Sequence, residues 1–496
     1  MAKITTVIDI GSNSARMAIF EKTSRYGFRL IHELKAKVRI SEGSYGEKSY
    51  LQEAAMQRAL EALVEFKRIS ILFKSRKMLC VATSALRDAP NKAVFINRVR
   101  KECGINIKVI EGTREAYFGA LACANLMHKK SGVTVDIGGG STELACIDEG
   151  VIKQSASLNL GSIRLKELYF DAGKVEEAYE FARKYVKENL AGIIEAYMVA
   201  GERPCLLGIG GSIRAYARYA RAKRAYPLNV IHGYELDCAE VLADLEVLVA
   251  ANHKELLSLG IESSRLDSIR PGLLILQVIM EAMGASSLVI SGVGLREGVF
   301  LHDMLRNHGG LLPKGFNPSL TALRDVFLTT VDDSKRIGQH VNKLFELFSS
   351  LDSIALAPWH LQALRVASKL YSVGHNVSFY QAHKHSGYLA LHCLNYGFSH
   401  QERCLISILL ESSHKKRPRP VTDGLDALLP SYEVMQILSY IFAISVGLAK
   451  ECKPGFRLDF DSGAAILHID GISLPSKHML KEIQPPNRTL NIAARF

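Results

Sequence analysis

Two stretches of the chain place an aspartate just before a turn of glycine and serine, a combination that could hold phosphate oxygens and a cation. The first, Val7 to Phe20, has the sequence VIDIGSNSARMAIF, and the second, Thr134 to Ile147, has the sequence TVDIGGGSTELACI. A loop of small residues exposes backbone N–H groups without obstruction by β-carbons, which suits phosphate oxygens. An aspartate from each stretch could bind a divalent cation.

The second stretch repeats the first after a shift of 127 positions. Five of the fourteen positions match, whereas ordinary residue usage gives about one. The matching pairs are Asp9 with Asp136, Ile10 with Ile137, Gly11 with Gly138, Ser14 with Ser141, and Ala18 with Ala145. We therefore predict two homologous halves, each starting with a β-hairpin, whose loops face each other across a cleft and hold a phosphate chain.

Size and composition indicate a soluble globular protein of several domains. The 496 residues exceed what one core usually serves, and 48% are hydrophobic and 23% charged. The N-terminus lacks the pattern of a signal peptide, and the longest charge-free apolar run, Gln436 to Ala449, is shorter than a membrane span. Nine cysteines without a C-x-x-C pair favour reduced thiols over a zinc site. We expect a cytoplasmic protein with no membrane partner.

The formal net charge of +12 favours a polyanionic partner. The densest basic cluster combines Lys415, Lys416, Arg417 and Arg419 with prolines. It is interpreted as a solvated loop, with contact to the ligand as the alternative. No motif that recognises nucleic acid accompanies it, so nucleic acid is not expected as a partner.

The order of predicted elements indicates an α/β fold followed by a helical domain. The first half is predicted as three strands and then alternating helices and strands, and the second half opens with the same hairpin. From about residue 318 to 450 the pattern is helical, and residues 456–468 alternate like two short strands. The predicted domains are two lobes, 1–124 and 125–308, a helical domain, 309–452, and a small β appendage, 453–496.

Six motifs, in this order, carry a resemblance to a known family. They are VIDIGSNSARMAIF, ATSALRDAPN at 82–91, IEGTREAYFGAL at 110–121, DIGGGSTEL at 136–144, LGIGGSI at 207–213 and ISGVGLREG at 290–298. The chain closely resembles the exopolyphosphatase and guanosine pentaphosphate phosphatase (Ppx/GppA) family, within the actin-like, Hsp70 and sugar-kinase superfamily. The resemblance implies two ribonuclease H-like (actin-like ATPase) lobes with a cleft, and an HD-like helical domain.

The resemblance also implies an activity and its partners. Family members hydrolyse terminal phosphoanhydride bonds of inorganic polyphosphate, and many convert pppGpp to ppGpp in the stringent response, using Mg²⁺. A cytoplasmic homodimer is expected on the same grounds. Two alternatives remain open: an ATP-dependent kinase of the same superfamily, and a non-catalytic sensor of (p)ppGpp. The two glutamates assigned next argue against the sensor, because a sensor has no use for a carboxylate that activates water.

Four carboxylates match catalytic and metal-binding positions of the family. Glu115 matches the glutamate that activates water, and Glu143 matches a second carboxylate that orients the water or the metal. Asp9 and Asp136 match the aspartates that hold Mg²⁺. Glu115 also lies in a predicted first helical turn, with Thr113 as the predicted helix cap, so its alternative role is a carboxylate that stabilises the helix dipole.

Arginines and small residues are the predicted phosphate-binding set. Arg16 occupies in the first hairpin the position of Glu143 in the second, and Arg87 matches a family arginine near the phosphate path; surface ion pairing is the alternative for both. The loop at 208–212 could also be a plain strand-to-helix turn. The remaining predicted phosphate-binding residues are Ser12, Asn13, Ser14, Gly138, Gly139, Gly140, Ser141, Gly210, Gly211 and Ser212.

The helical domain resembles the family's HD-type domain through SVGHNVSFYQAHKHSGYLALHCLNYGFS. A working HD site needs a His-Asp doublet, and the matching segment, Leu370 to Gly374, lacks it. The doublet His302-Asp303 lies elsewhere, after GLREG, and is interpreted as accidental. The domain's histidines, His375, His383, His385 and His414, are therefore predicted to be structural or to bind polyanions.

Overall fold

Two mixed β-sheets, each starting with three antiparallel strands, organise the chain up to residue 317. The computed structural model describes residues 3–44, 50–198, 203–328, 333–349, 355–414, 422, 424–451, 457–461 and 466–483. The chain divides into two compact units, residues 1–317 and 318–496. The basic cluster at 415–419 lies outside the described residues.

The first sheet has the strand order β3-β2-β1-β4-β5. Strands β1, β2 and β3 are antiparallel, and β4 and β5 run parallel to β1. The strands are β1 Ile4–Ile10, β2 Ala15–Lys22, β3 Phe28–Ala36, β4 Lys77–Ala82 and β5 Ile107–Val109. The helices of this lobe are α1 Glu53–Leu72, α2 Ser84–Asp88, α3 Lys92–Cys103 and α4 Gly112–Leu126.

The second sheet repeats this plan with the order β10-β11-β9-β6-β7-β8. Strands β6, β7 and β8 are antiparallel, β9 and β11 continue in parallel, and β10 is an antiparallel edge. The strands are β6 Gly132–Ile137, β7 Thr142–Asp148, β8 Val151–Leu158, β9 Cys205–Ile209, β10 Glu235–Asp237 and β11 Ser287–Ile290. The helices are α5 Ser162–Leu168, α6 Val175–Asn189, α7 Ala191–Met198, α8 Gly211–Lys223, α9 Cys238–Ala250, α10 His253–Ser258, α11 Leu266–Met283 and α12 Leu295–Met304.

The predicted repeat of two actin-like α/β lobes is therefore confirmed. Helix α9 begins at Cys238, because Asp237 caps it and residues 235–237 pair with β11. Helices α6 and α7 are separated at Leu190, just before Gly192, which lowers helix propensity. Helix α2, only five residues long, shows no usable periodicity in the sequence.

The second unit is helical and ends in a small hairpin with one more helix, in agreement with the prediction for 318–450. Its helices are α13 Pro318–Phe327, α14 Ser334–Phe348, α15 Pro358–Leu370, α16 Ala382–Cys393, α17 His400–Ser412 and α18 Tyr432–Ala449. Strands β12 Arg457–Asp461 and β13 Ile466–Asp470 pair in antiparallel fashion before α19 Leu474–Glu482. Among the described helices, α18 alone is long and apolar enough to cross a membrane, and 83% of it is buried within the protein, as in a core helix.

Candidate active site

The two predicted loops are the tips of structurally equivalent hairpins. In the first hairpin Asp9 on β1 lies opposite Arg16 on β2, and in the second Asp136 on β6 lies opposite Glu143 on β7. The turns close in the same way. Gly11 N donates to Ser14 O at 3.1 Å in the first turn, and Gly138 N donates to Ser141 O at 2.9 Å in the second. The sequence repeat of 127 residues is thus a repeat of backbone geometry.

The two hairpin tips touch each other. An ideal β-carbon on Gly139 would lie 2.9 Å from the β-carbon of Ser12, which is closer than real β-carbons approach. The second tip is also fixed from behind, because Arg164 Nε donates to Gly140 O at 3.0 Å while its Nη2 bonds to Asp88 of the first lobe at 2.9 Å. Glycine at position 139 therefore lets the lobes bring their loops together.

A cavity of about 150 Å³ lies where the tips meet. Ligand pockets for drug-sized molecules span about 300–1,000 Å³. The described cavity is smaller, so it suits a phosphate group rather than a whole nucleotide. The predicted residues that line it are Asp9, Ser12, Asn13, Ser14, Arg16, Glu115, Asp136, Gly138, Gly139, Ser141, Glu143, Gly210, Gly211 and Ser212.

Arg87 and Gly140 are the two predicted residues that do not line this cavity. The guanidinium of Arg87 instead contacts Glu115, with 3.2 Å between Nη1 and Oε2, and it also donates to Ile110 O at 3.2 Å. Arg87 therefore touches the proposed catalytic glutamate directly, and Gly140 contributes its carbonyl to the contact with Arg164.

Glu115 enters the cavity from the first turn of α4. The prediction that Thr113 caps this helix is wrong, because the helix begins at Gly112 and Glu111 is the residue before it. A β-carbon on Gly112 would lie 2.3 Å from Ser157 Oγ, so glycine allows the helix start to pack against β8. Ser157 in turn donates to Glu143 Oε1 at 2.9 Å. One serine thus connects the start of α4 to the second glutamate.

Burial changes the acidity of all four carboxylates. It raises the pKa of Asp9 to about 6, although Arg16 and Arg296 oppose the shift. Burial likewise raises the pKa of Glu143 to about 8, and it also raises the pKa of Asp136 above its usual value. The pKa of Glu115 lies well above its usual value because of burial and the nearby charge of Glu143. Carboxylates with such raised pKa values are typical of proton-transfer sites.

The cavity also offers oxygen ligands for a hard cation. Oδ1 of Asp9 is buried and accepts no hydrogen bond from any described residue. Gly210, at φ +97°, leaves open the space beside Asp136, since a β-carbon there would lie 2.9 Å from Oδ1. Within the described part of the chain, no three His, Cys, Asp or Glu side chains form a metal site by themselves. Mg²⁺ is usually held by one or two carboxylates together with phosphates and waters, and Asp9 and Asp136 offer carboxylates of this kind.

Several charged residues of the cavity are not among those predicted from the sequence. Arg214, Arg265, Arg296 and Glu297 all line it. Arg296 is buried, with its Nη1 2.7 Å from Glu33 Oε1, and burial beside other arginines lowers the pKa of Arg214 to about 10. The motifs LGIGGSI and GLREG contained the signal, since Arg214 follows the first and the second includes Arg296 and Glu297.

Known proteins resemble this chain in both sequence and structure. The chain is 29% identical over 298 residues to a bifunctional 3-dehydroquinate synthase/phosphatase of Fusobacterium nucleatum. This aligned region covers 57% of this chain but only 44% of that protein. It is 27% identical to a guanosine-5′-triphosphate,3′-diphosphate pyrophosphatase of Photobacterium profundum, over 83% of this chain and 80% of the relative. The crystal structure of a Cytophaga hutchinsonii exopolyphosphatase, 25% identical, superposes with a TM-score of 0.54 over 62% of this chain and 99% of its own.

Two family models also match, and they meet near the boundary between the two units. The model described as "Ppx/GppA phosphatase, domain III" covers residues 317–449 of the helical unit. The model described as "Ppx/GppA phosphatase family" covers residues 18–307, which include the second hairpin, the start of α4 and α12. Because that second match alone spans more than half of the sequence, the chain belongs to the Ppx/GppA phosphatase family.

Proposed function

We propose that the protein is a magnesium-dependent phosphohydrolase that releases the terminal phosphate of inorganic polyphosphate, converts pppGpp to ppGpp, or does both. One observation carries the proposal: Asp9, Glu115, Asp136 and Glu143, from both lobes, line a single cavity beside two glycine-serine loops. Phosphoryl transfer needs an in-line water, a cation and donors for the phosphate oxygens, and these residues can supply or hold each of them. Relatives named for pppGpp and polyphosphate hydrolysis agree with it.

The loops and arginines bind the terminal phosphoryl group. Residues of the two turns line the cavity, Ser12 and Ser141 among them, and the N–H groups and hydroxyls of such turns can donate to phosphate oxygens. Arg16 and Arg214 add positive charge at its wall. Their guanidinium groups favour an anion that carries several charges, and a narrow cavity admits only its end.

The carboxylates divide into two roles. Asp9 and Asp136, with Glu143, would hold Mg²⁺, and Glu115 would accept the proton of the attacking water. When bound, Mg²⁺ neutralises charge on the phosphate oxygens and lowers the pKa of nearby carboxylates. The water oxygen forms a bond to the terminal phosphorus, the bond from that phosphorus to the bridging oxygen breaks, and the shortened chain leaves with the electron pair.

The test is phosphate release from long-chain polyphosphate and from pppGpp by wild type and by Glu115→Gln, each with and without Mg²⁺. The substitution keeps size and hydrogen bonding but removes the base, so turnover should fall by about 100- to 10,000-fold. Glu111→Gln is the matched control, since Glu111 is exposed and starts the same helix without lining the cavity. Unchanged turnover of the Glu115 variant, or a requirement for an acceptor other than water, would refute the proposal.

A further inference from the structure

A second and larger cavity lies within the helical unit. It has a volume of about 560 Å³, inside the range of about 300–1,000 Å³ that is usual for small-molecule sites. Its wall includes Tyr371, His375, His383 and His414, and Lys450 lies at its edge. We call it the aromatic-histidine pocket. All its lining residues lie between 333 and 450, so none of them belongs to the cavity described above.

Two aromatic rings stand exposed at the rim of the aromatic-histidine pocket. Phe379 is 76% exposed and Tyr380 is 81% exposed, with their rings edge to face and 5.6 Å between centroids. Adjacent large aromatic side chains with this exposure offer unburied ring faces to a ligand. Such faces stack well on a planar heterocycle.

The backbone holds this rim in an unfavourable conformation. Gln381, which follows the two aromatics and precedes α16, has φ +58°. Only glycine adopts the left-handed region freely, and for other residues it costs about 1 kcal/mol or more. Strain of this kind is concentrated at ligand-binding segments, which is consistent with a rim that is set in place before a ligand arrives.

The histidine wall is built for hydrogen bonding. His375 Nδ1 lies 3.2 Å from Ser372 O, and because a carbonyl can only accept, Nδ1 carries a proton. In the neutral ring the second nitrogen, Nε2, then carries a lone pair and can accept a hydrogen bond. His414 Nε2 lies 3.0 Å from the hydroxyl of Tyr371, and the ring of His383 lies 5.0 Å from that of His414.

The charges around the pocket favour an anion. Lys450 contributes a cation, and the carboxylate that lines the pocket, Asp333, is engaged by Arg336. The Lys450 ammonium can donate to phosphate oxygens, and so can an imidazole nitrogen that carries a hydrogen. His375 contacts a carbonyl oxygen and His414 a hydroxyl oxygen, and no three of the described His, Cys, Asp or Glu side chains are arranged around a metal position.

We propose that the aromatic-histidine pocket binds a nucleotide, whose base stacks on Phe379 and Tyr380 while its phosphate is bound by Lys450 and the histidines. Stacking needs the exposed rings, and the anion needs the lysine and the imidazoles, so both parts of one ligand are accounted for. This site goes beyond the phosphohydrolase activity proposed above. It is tested without measuring that activity, and its failure leaves the activity proposal standing.

A tryptophan placed in the rim would report binding at this pocket alone. The chain has a single tryptophan, Trp359, so the double substitution Trp359→Phe and Tyr380→Trp leaves one indole, at position 380. Titration with AMP should quench its fluorescence to saturation. Adenosine and inorganic phosphate should each bind at least about tenfold more weakly, since each lacks half of the ligand, and adding Lys450→Ala should weaken AMP binding by about tenfold.

Matched controls come from the same unit. Tyr388→Trp in the Trp359→Phe background places the reporter on an exposed position of α16 outside the pocket, and Lys369→Ala removes an exposed lysine of α15 outside it. Neither should reproduce the effect. In parallel, the binding signal of AMP in ligand-detected NMR should be weaker with Tyr380→Ala than with the unaltered chain. Absence of quenching, equal quenching at position 388, equal affinity for phosphate, or no effect of Lys450→Ala would each overturn the proposal.

Discussion

Gly139 and Ser12 stand at the tips of the two equivalent hairpins, and a β-carbon on Gly139 would lie 2.9 Å from that of Ser12. A side chain at position 139 must therefore push the two loops apart. Displacement of about 1 Å at a phosphoryl-transfer site can lower the rate by about 100-fold. We expect Gly139→Ala to lower kcat by about ten- to hundredfold with little change in melting temperature.

Phosphate release and thermal unfolding, measured on the same samples, check this expectation. Gly192→Ala is the control, because a β-carbon there meets only Gln154 Nε2 at 3.8 Å, an ordinary contact, in the same lobe. Full activity of Gly139→Ala would mean that the loops need not touch during turnover.

The contact between Arg87 and Glu115 distinguishes two roles for the arginine. The guanidinium lies 3.2 Å from the carboxylate and outside the lining of the cavity, so we expect it to position Glu115 rather than to bind phosphate. Arg87→Lys should then lower kcat by about tenfold or more and leave KM nearly unchanged, because lysine cannot reproduce the forked geometry.

Steady-state kinetics with polyphosphate and pppGpp decide between the roles. A rise in KM with kcat retained would assign Arg87 to phosphate binding, as the sequence suggested. Arg100→Lys provides the control, since Arg100 is an exposed arginine of the neighbouring helix α3.

Removal of divalent cations with EDTA should abolish phosphate release, and added Mg²⁺ should restore it. Asp9→Asn should raise the Mg²⁺ concentration needed for half-maximal rate by about tenfold or more, because a charged oxygen ligand is lost. Asp148→Asn, an exposed aspartate at the far end of β7, should leave that concentration unchanged. A Mg²⁺ titration that is identical for wild type and Asp9→Asn would remove Asp9 from the metal site.

The hairpins could be predicted from the sequence because their information is local. Asp9 and Arg16 lie seven residues apart, as do Asp136 and Glu143, so the period of a strand and the length of a turn fix which residues face each other. The repeat then supplied a second copy of the same geometry.

The ion-pair partner of the buried Arg296 could not be predicted in this way. Arg296 lies on α12 and Glu33 on β3, so the pair depends on how a late helix packs against the first sheet. Neither residue type nor spacing records such a contact. The same limit applies to the contact of Ser157 with Gly112, because β8 and the start of α4 come together only in the folded protein.

We expect Asp244 to stabilise the folded second lobe. Its side chain is 1% exposed, and it accepts hydrogen bonds from Tyr216 Oη at 3.0 Å, Lys223 Nζ at 2.6 Å and Arg224 Nη1 at 2.9 Å. Burial alone would raise the pKa of Asp244, but these bonds outweigh it and lower the pKa below its usual value. Asp244→Asn should therefore lower the free energy of unfolding at pH 7 by about 2–3 kcal/mol.

The pH dependence follows from the direction of that shift. A carboxyl group with a lowered pKa in the folded state stabilises the fold at pH values above its unfolded pKa, about 3.9, and loses this effect as pH falls through the folded pKa. The difference in unfolding free energy between wild type and Asp244→Asn should thus be largest near neutral pH and shrink below about pH 4. Urea denaturation at several pH values measures it. Glu240→Gln, whose carboxylate is 56% exposed and pairs with Arg224, should change stability by less than about 0.5 kcal/mol, and an equal loss in both variants would show that Asp244 contributes no more than a surface ion pair.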